Sequence, residues 1–367
     1  MSAHHTLYVQ STGGDYEVHI GRQLLAEVGK RVQAVCKDVT SALLVVDESL
    51  LAFSYADTVE ASLKASGMPT VRTVVARGEA SKSLATADTL YTRCVEAGLD
   101  RKSVVLALGG GVVGDLAGFV AATYMRGVRF VQIPTTLLAH DASIGGKVAI
   151  NLPQGKNLVG AFHPPCIVLY DVETLRTLPA RERSSGLAEA IKHGVIWSES
   201  FFSWLEEHMD SLVDGDLDAT EEMLFTSCAI KAEIVSKDET EQGVRAFLNF
   251  GHTVAHAIEA LAYGQFAHGE AVAIGMMTEC LISVSLGRCD EAVLHRLHTL
   301  LKAAHLPQHI PPSFDVDALI AAMRRDKKAT KQQLAFVLPT RIGNVELYPD
   351  VEETRVATAL RARRLTQ

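Results

Sequence analysis

Three features are scarce in this 367-residue sequence, and the scarcity of each excludes a class of protein. No stretch reaches the ~20 apolar residues of a membrane span. The first residues do not show the basic segment followed by an apolar core that is typical of a signal peptide. The net charge of −8 leaves no basic excess for a nucleic-acid surface. The sequence therefore predicts neither a membrane nor a nucleic-acid partner, although local basic pockets stay compatible with it.

Paired cysteines are the third scarce feature. The six cysteines are scattered along the chain, and none forms a Cys-x-x-Cys pair. Scattered cysteines in a long chain are typical of reduced thiols in the cytosol. We therefore expect a cytoplasmic protein without a cysteine metal site.

The first half of the chain alternates short apolar runs with helix-length segments. Continuous apolar strands separated in this way predict a mostly parallel sheet that is covered on both faces. The predicted strands are 42–46, 71–75, 103–108, 130–133 and 167–169.

After Pro179 long helical periodicities replace these runs. The predicted helices are 182–195, 201–208, 221–237, 251–263, 269–286 and 290–304. Two late strand-like pieces flank Gly343 and predict a small hairpin. The sequence thus predicts a Rossmann-like α/β domain over residues 1–180 and an all-α domain over residues 181–367.

A glycine-rich turn, Gly109-Gly-Gly-Val-Val-Gly-Asp115, follows the third of these strands and precedes a predicted helix. Glycines allow a close approach to a pyrophosphate, and the helix start offers free N–H groups. The turn departs from the usual dinucleotide fingerprint, because no acidic residue follows about 20 positions later. Asp47, at the end of an earlier strand, is the better candidate for the ribose hydroxyls. A tight structural turn is the alternative interpretation.

Further polar loops follow neighbouring predicted strands. Gly78, Glu79 and Lys82 lie after one strand, and Thr135 and Thr136 lie after another. Loops at the carboxyl ends of parallel strands converge on one crevice, as a nucleotide site requires.

A basic and amide-rich segment runs from Asp141 through Lys147 and Asn151 to Lys156 and Asn157, with Arg126 before it. Lysines and arginines beside glycine backbone suit an anionic small molecule. A single lysine here would be interpreted as part of a solvated loop. The interpretation as an anion-binding site therefore depends on how many Gly, Lys and Asn residues the segment contains.

Histidines and a glutamate suggest a metal site in the second half. His252 and His256 are four residues apart on one predicted helix, His268 opens the next helix, and Glu189 and Lys192 share a face of an earlier one. Imidazole and carboxylate ligands with one open position are typical of catalytic zinc. Spacing favours His252 with His256 but does not decide between His256 and His268.

The order of these motifs resembles the 3-dehydroquinate synthase family of sugar-phosphate cyclases, over roughly residues 40 to 345. The matching motifs are Gly-Gly-Gly-Val-Val-Gly-Asp, Ile-Pro-Thr-Thr-Leu-Leu, Ile-Gly-Gly-Lys, Gly-Lys-Asn-Leu-Val-Gly-Ala-Phe, Gly-Leu-Ala-Glu-Ala-Ile-Lys-His-Gly, Leu-Asn-Phe-Gly-His-Thr, His-Gly-Glu-Ala-Val-Ala-Ile-Gly-Met and Arg-Asp-Lys-Lys. One departure is Ala255, where the family usually has glycine.

The resemblance implies Zn²⁺ or Co²⁺ on Glu189, His252 and His268, with His256 in the active site but not on the metal. It implies NAD contacts from Gly78, Glu79, Lys82, Gly111, Val112, Val113, Gly114, Asp115, Thr135, Thr136, Lys147, Lys156, Thr174, Leu175, Arg176 and Thr177. It implies substrate contacts from Arg126, Asp141, Lys147, Lys156, Asn157, Lys192, Lys231, Arg245, Asn249, His256 and Lys327.

The implied activity is a phosphate-eliminating cyclisation. The substrate would be 3-deoxy-D-arabino-heptulosonate 7-phosphate, and the products 3-dehydroquinate and phosphate, in the second step of chorismate biosynthesis. Transient oxidation by NAD, phosphate elimination, re-reduction and an intramolecular aldol step would make NAD a recycled cofactor. The family also implies a homodimer. A metal-dependent NAD polyol dehydrogenase and another sugar-phosphate cyclase are the alternatives.

Overall fold

The computed structural model describes residues 4–262, 264–326 and 334–364, and Lys327 lies outside them. Contacts along the chain divide it into two compact units. The sheet unit is Met1–Leu178 with Thr220–Glu239, and the helical unit is Pro179–Ala219 with Thr240–Gln367. The structure corrects the predicted division in one respect: residues 220–239, assigned to the helical half from the sequence, belong to the sheet unit.

A seven-stranded sheet forms the centre of the sheet unit, in the order β1-β2-β9-β6-β5-β3-β4. Its strands are β1 (His5–Val9), β2 (Tyr16–Gly21), β3 (Ala42–Asp47), β4 (Thr70–Val75), β5 (Val104–Gly109), β6 (Arg129–Pro134) and β9 (Ile167–Asp171). Only β1 pairs antiparallel within this sheet. A separate hairpin joins β7 (Lys147–Leu152) to β8 (Gly155–Phe162). The mostly parallel sheet predicted from the apolar runs is confirmed.

Two apolar cores, one on each face, explain why the predicted strands are continuously apolar. Along β3, Leu43 and Val45 pack into one core, whereas Leu44 and Val46 pack into the other. Successive strand residues point to opposite faces, so a strand covered on both sides has no polar face. The helices of this unit are α1 (Val28–Val35), α2 (Tyr55–Ala65), α3 (Leu84–Glu96), α4 (Gly111–Thr123), α5 (Ala139–Ala142) and most of α8 (Leu217–Lys237).

The strand order reverses at the junction of β3 and β5. From β3 the chain moves outward to β4, and then returns to place β5 on the other side of β3. Ligands of doubly wound sheets bind beyond the carboxyl ends of strands at such a reversal. Here those ends are Asp47 and Gly109, so the sheet topology selects the glycine turn as a ligand site.

The helical unit carries the remaining helices and one hairpin. Its helices are α6 (Ala180–Trp197), α7 (Glu199–Asp214), α9 (His252–Leu261), α10 (His268–Ser285), α11 (Glu291–Ala303), α12 (Val316–Asp326) and α13 (Glu353–Arg363). The hairpin pairs β10 (Leu334–Arg341) with β11 (Asn344–Val351), and Gly343 at its turn has a φ of 82°. The predicted hairpin is confirmed, and the other regular elements among the described residues of this unit are helices.

Among the described residues, no helix combines the length and the apolar character that crossing a bilayer would require.

Candidate active site

The glycine turn opens α4 with ordinary rather than left-handed backbone: Gly110, the residue before the helix, has a φ of −78°. The glycines allow close packing of the turn. A Cβ on Gly110 would lie 3.0 Å from Cγ2 of Thr136, and one on Gly109 would lie 3.1 Å from Cβ of Asp47. The ends of three neighbouring strands therefore lie so close to the turn that a side chain on either glycine would require its neighbours to shift by a few tenths of an ångström.

The loop after β4 is tied to the glycine helix by a buried lysine. The Lys82 ammonium donates hydrogen bonds to the Asp115 carboxylate on α4 and to the Asn157 side-chain oxygen on β8. Burial raises the pKa of Asp115, and the Lys82 charge opposes that shift. Gly78, with a φ of 100°, begins this loop. Three sequence segments predicted to contact NAD or substrate are thus joined in one polar network.

Other residues predicted to contact NAD make local hydrogen bonds at the same edge of the sheet. The Asp47 carboxylate accepts from the Ser49 N–H at 2.9 Å, and the Thr135 N–H donates to the Gly109 carbonyl at 3.0 Å. Thr174 and Thr177 lie in a short 3-10 helix, Val172–Thr177, after β9, together with buried Leu175 and exposed Arg176. All these positions lie at the carboxyl ends of parallel strands. The sequence pattern predicted this for Asp47 and Thr135, and the family resemblance supplied Thr174 and Thr177.

One ion pair joins two residues of the sheet unit that the family resemblance assigns to substrate contact. The Lys231 ammonium on α8 lies 2.8 Å from the Asp141 carboxylate, and its side chain is only 8% exposed. Lys147, Lys156 and Arg126 are exposed. This pair, with the 2.9 Å contact between Ser227 Oγ and His140 Nε2, also explains why α8 belongs to the sheet unit.

The candidate metal ligands come from three helices of the helical unit. One ligand atom each from Glu189 on α6, His252 on α9 and His268 on α10 lies within 4.8 Å of the others. Glu189 Oε1 is 3.5 Å from His252 Nε2 and 3.3 Å from His268 Nε2. Two imidazoles and one carboxylate match the donor set of a catalytic zinc site.

The second nitrogen of each imidazole has a partner that orients the ring. His252 Nδ1 lies 3.2 Å from the Phe250 carbonyl, and His268 Nδ1 lies 3.5 Å from the Glu259 carboxylate. A proton on each Nδ1 leaves the lone pair of Nε2 free to bind a metal. Metal-binding histidines are commonly oriented in this way. The side chains therefore fit a metal ion in both atom type and direction.

Burial and nearby charges shift the pKa values of the two histidines in opposite directions. Burial, followed by the Lys192 charge, lowers the pKa of His252 to about 3, so this ring is neutral and can bind a metal. Burial also acts to lower the pKa of His268, but Glu189 and Glu259 outweigh it and raise that pKa to about 10. The carboxylates that attract a proton to His268 would equally attract a metal ion.

Close helix packing positions these ligands. A Cβ on Gly269 would lie 1.9 Å from the Ser185 carbonyl oxygen of α6, and one on Gly275 would lie 1.9 Å from the Gly251 carbonyl oxygen. The buried Glu279 carboxylate accepts the Gly251 N–H at 2.7 Å. Helices α6 and α10 therefore touch through backbone, as do α10 and the start of α9, and this contact brings the ligand side chains together.

The structure separates the two histidines between which spacing could not choose. His256 lies one turn beyond His252, with ring centroids 5.5 Å apart and rings at 88°, and it is not in the cluster of ligand atoms that includes His268.

The other described residues of the helical unit predicted to contact substrate are buried or hydrogen-bonded. Lys192 is 1% exposed and pairs with Glu189. Arg245 is buried, and Asn249 donates to Glu241 at 2.7 Å. Ala255, where the family usually has glycine, is fully buried within α9.

Two acidic residues of this site were missed from the sequence. Glu259 and His252 share a face of α9 because they are seven residues apart, and this spacing could have suggested Glu259. Glu279 lies in the middle of a helix of apolar residues. A buried carboxylate at such a position is itself a signal, since it requires a hydrogen-bonding partner.

Solved structures with the same architecture identify the class. The 2-epi-5-epi-valiolone synthase of Streptomyces hygroscopicus subsp. jinggangensis 5008, solved with NAD⁺ and Zn²⁺ bound, is 30% identical with a TM-score of 0.86, and the match covers 95% of this chain and 96% of that one. A 2-deoxy-scyllo-inosose synthase complexed with carbaglucose-6-phosphate, NAD⁺ and Co²⁺ is 25% identical with a TM-score of 0.88, covering 98% and 100%. A glycerol dehydrogenase of Schizosaccharomyces pombe, 18% identical with a TM-score of 0.67 over 93% of this chain and 87% of that one, shares the fold alone. The fold is that of the sugar-phosphate cyclases.

Sequence profiles and relatives narrow the class to one family. The profile described as 3-dehydroquinate synthase N-terminal matches residues 72–185, and the C-terminal one matches residues 186–329. The 3-dehydroquinate synthase of Symbiobacterium thermophilum is 48% identical over 95% of this chain and 98% of its own length. That of Desulforamulus reducens is 45% identical over 97% and 99%. The chain belongs to the 3-dehydroquinate synthase family.

Proposed function

We propose that this chain converts 3-deoxy-D-arabino-heptulosonate 7-phosphate to 3-dehydroquinate and phosphate, the second step of chorismate biosynthesis. The observation that carries the proposal is the Glu189, His252 and His268 cluster, whose ligand atoms lie within 4.8 Å of one another in a chain of this family. A carbon–oxygen lyase that recycles its NAD fits both this cluster and the glycine turn at the reversal point of the sheet.

Each cofactor has a set of residues that would hold it. Glu189, His252 and His268 would bind Zn²⁺ or Co²⁺, and the loops after β3, β4, β5, β6 and β9 would bind NAD. When bound, the metal would supply a Lewis acid that lowers a hydroxyl pKa, and NAD would supply a reversible hydride acceptor.

The other side chains would bind and orient the substrate anions. In the sheet unit, the exposed Lys147, Lys156 and Arg126 side chains suit phosphate or carboxylate, and Asp141 fixes the Lys231 ammonium. In the helical unit, buried Lys192 and Arg245 carry charge where water is scarce, which strengthens their attraction for an anion. His256, which the metal cluster leaves out, would contact an anion or transfer a proton. Positioning of this kind lowers the barrier without a new covalent bond to the protein.

A homodimer and a cytoplasmic location are further parts of the proposal. The first is carried over from the family, and the second is supported by cysteine usage: the six cysteines, all among the described residues, are free thiols.

The deciding experiment measures inorganic phosphate released from the heptulosonate phosphate with only a trace of NAD. We expect phosphate to exceed the NAD present many-fold, and a chelator to abolish its release. Phosphate release that never exceeds the NAD present would contradict recycling.

The same assay separates the alternatives. A polyol dehydrogenase would accumulate NADH with glycerol and release no phosphate. A cyclase of the 2-deoxy-scyllo-inosose type would turn over glucose 6-phosphate, which lacks a carboxylate. We expect neither reaction at a comparable rate, because the basic side chains suit two anionic groups on one substrate.

A further inference from the structure

We propose that Asn151 is a positioning residue that holds Glu79 of the cofactor loop and Asn157 of the β7–β8 hairpin in fixed relation. This inference rests on the proposed function, because Glu79 is taken to face NAD and Asn157 to face the substrate. Asn151 itself is half-buried and is not among the residues expected to contact either molecule.

The side chain of Asn151 joins two segments through both of its polar atoms. Its Nδ2 donates to Glu79 Oε1 at 2.8 Å, and its Oδ1 accepts from the Asn157 N–H at 2.9 Å. Its own main-chain N–H donates to the Lys82 carbonyl at 2.7 Å. Three hydrogen bonds thus connect one residue to both ends of the Glu79–Lys82 segment and to the hairpin.

The chemistry of the partners fixes which way the amide points. An ionised carboxylate only accepts, and a main-chain N–H only donates. The asparagine must therefore direct its NH₂ to Glu79 and its oxygen to Asn157. A residue of the same shape without a donor, such as aspartate, would place a second carboxylate against Glu79.

Asn151 lies at an irregularity of the hairpin. The register of β7 and β8 shifts between Ile150 and Leu152, and Asn151 between them donates its N–H to the Lys82 carbonyl. Such irregularities redirect a side chain out of the ladder.

Asn151 also helps to hold the main chain of Asn157. The φ of Asn157 is 56°, in the left-handed region, which asparagine adopts more readily than other non-glycine residues. The bond from its N–H to Asn151 helps to hold this conformation, and in it the Asn157 oxygen accepts from Lys82. Losing Asn151 would therefore loosen Glu79 and Asn157 together without unfolding the sheet.

The first experiment measures NAD affinity of the full-length protein in the absence of substrate. We expect Asn151→Asp to weaken NAD binding by about tenfold, because a half-buried hydrogen-bond donor to Glu79 is replaced by a group of the same charge as Glu79. The KM for the phosphorylated substrate should rise as well, since Asn157 loses its support, whereas kcat should change less. Gln154→Ala, in the exposed turn of the same hairpin, is the control and should leave both constants within about twofold of the unaltered protein.

A charge swap separates positioning from general damage. In a Glu79→Gln background, the glutamine NH₂ can donate to the carboxylate that Asn151→Asp introduces. This restores a hydrogen bond between positions 79 and 151, with donor and acceptor exchanged. We expect Asn151→Asp to cost about tenfold in NAD affinity beside Glu79 but less than about twofold in the Glu79→Gln background. An equal loss in both backgrounds, or unchanged NAD affinity in the single variant, would overturn the inference. A protein that binds NAD but releases no phosphate would instead contradict the proposed function, so the two failures are distinguishable.

Discussion

At the scale of single residues, the cluster of candidate metal-ligand atoms contains Glu189, His252 and His268 but not His256. Helical spacing identified both histidines on α9 because residues four apart share a face. It could not identify the third member, since that residue comes from another helix and depends on how α9 and α10 pack. The family resemblance supplied the choice, and the ligand-atom distances agree with it.

This arrangement predicts different outcomes for two histidine substitutions. His268→Ala should abolish metal retention and phosphate release, because it removes one of three ligands. His256→Ala should keep the metal and lower turnover by about 10²- to 10⁴-fold if it transfers a proton. Metal analysis of the dialysed variants, beside assays of phosphate release, provides the measurement. Equal metal loss in the two variants would contradict the ligand assignment.

A second residue-scale prediction concerns Glu259, whose carboxylate lies near Nδ1 of His268, on the opposite side of the ring from Glu189. Glu259→Ala should weaken metal binding by about 10- to 100-fold, as is common when the carboxylate partner of a metal-binding histidine is removed. Glu259→Gln should recover part of the loss, because its amide oxygen can still accept from Nδ1. Competition with a chromogenic chelator measures both affinities. If Glu259→Ala retained the affinity of the unaltered protein, the 3.5 Å contact would have no role in orienting the ring.

At the scale of elements, the sequence predicted strands wherever it has a continuous apolar run. The β3 run is apolar throughout because two cores cover it. The edge strand β4 was also predicted, although Val71 and Val74 are exposed. The β7–β8 hairpin escaped prediction because much of β8 is exposed and offers no apolar run. Pattern reasoning detects apolar runs, so it misses a hairpin such as β7–β8, which carries the site residue Asn157.

The contact between α10 and the start of α9 is the element-scale feature most open to test. A Cβ at Gly275 would lie 1.9 Å from the Gly251 carbonyl oxygen, and backbone cannot yield as a flexible side chain does. Gly275→Ala should therefore destabilise the protein by about 3 kcal/mol and weaken metal retention. Thermal unfolding and metal analysis report the two effects.

Gly194 on α6 supplies the matched control. It is also a buried helical glycine, but its added Cβ would meet Cβ, Cα and N of Phe202 at 3.0, 3.1 and 3.2 Å, and no atom as close as the 1.9 Å at Gly275. A shift of a few tenths of an ångström would accommodate it, so Gly194→Ala should cost about 1 kcal/mol. If the two substitutions lowered the melting temperature equally, the 1.9 Å approach at Gly275 would not be what positions α10.

At the scale of the whole molecule, the chain leaves the sheet unit after Leu178 and returns to it for residues 220–239. The apolar periodicity of residues 221–237 correctly predicts a helix, and α8 spans Leu217–Lys237. Periodicity states which face of a helix is buried but not which core buries it. The contacts that decide it, such as Lys231 with Asp141, join residues far apart in sequence and have no local signature.

This crossing predicts how fragments of the chain behave. Residues 1–178 alone should not fold cooperatively, because the fragment lacks the helix that covers buried His140 and pairs with Asp141. The same fragment joined to residues 217–239 by a flexible linker of about 20 residues should fold, since such a linker confines the helix near its binding face at modest entropic cost. Thermal unfolding followed by circular dichroism distinguishes a cooperative transition from its absence. A scrambled 217–239 segment on the same linker is the control, and it should behave like the bare fragment. If residues 1–178 unfolded cooperatively without the helix, the sheet unit would not need α8 in order to fold. A single domain boundary near residue 180 would then describe the chain.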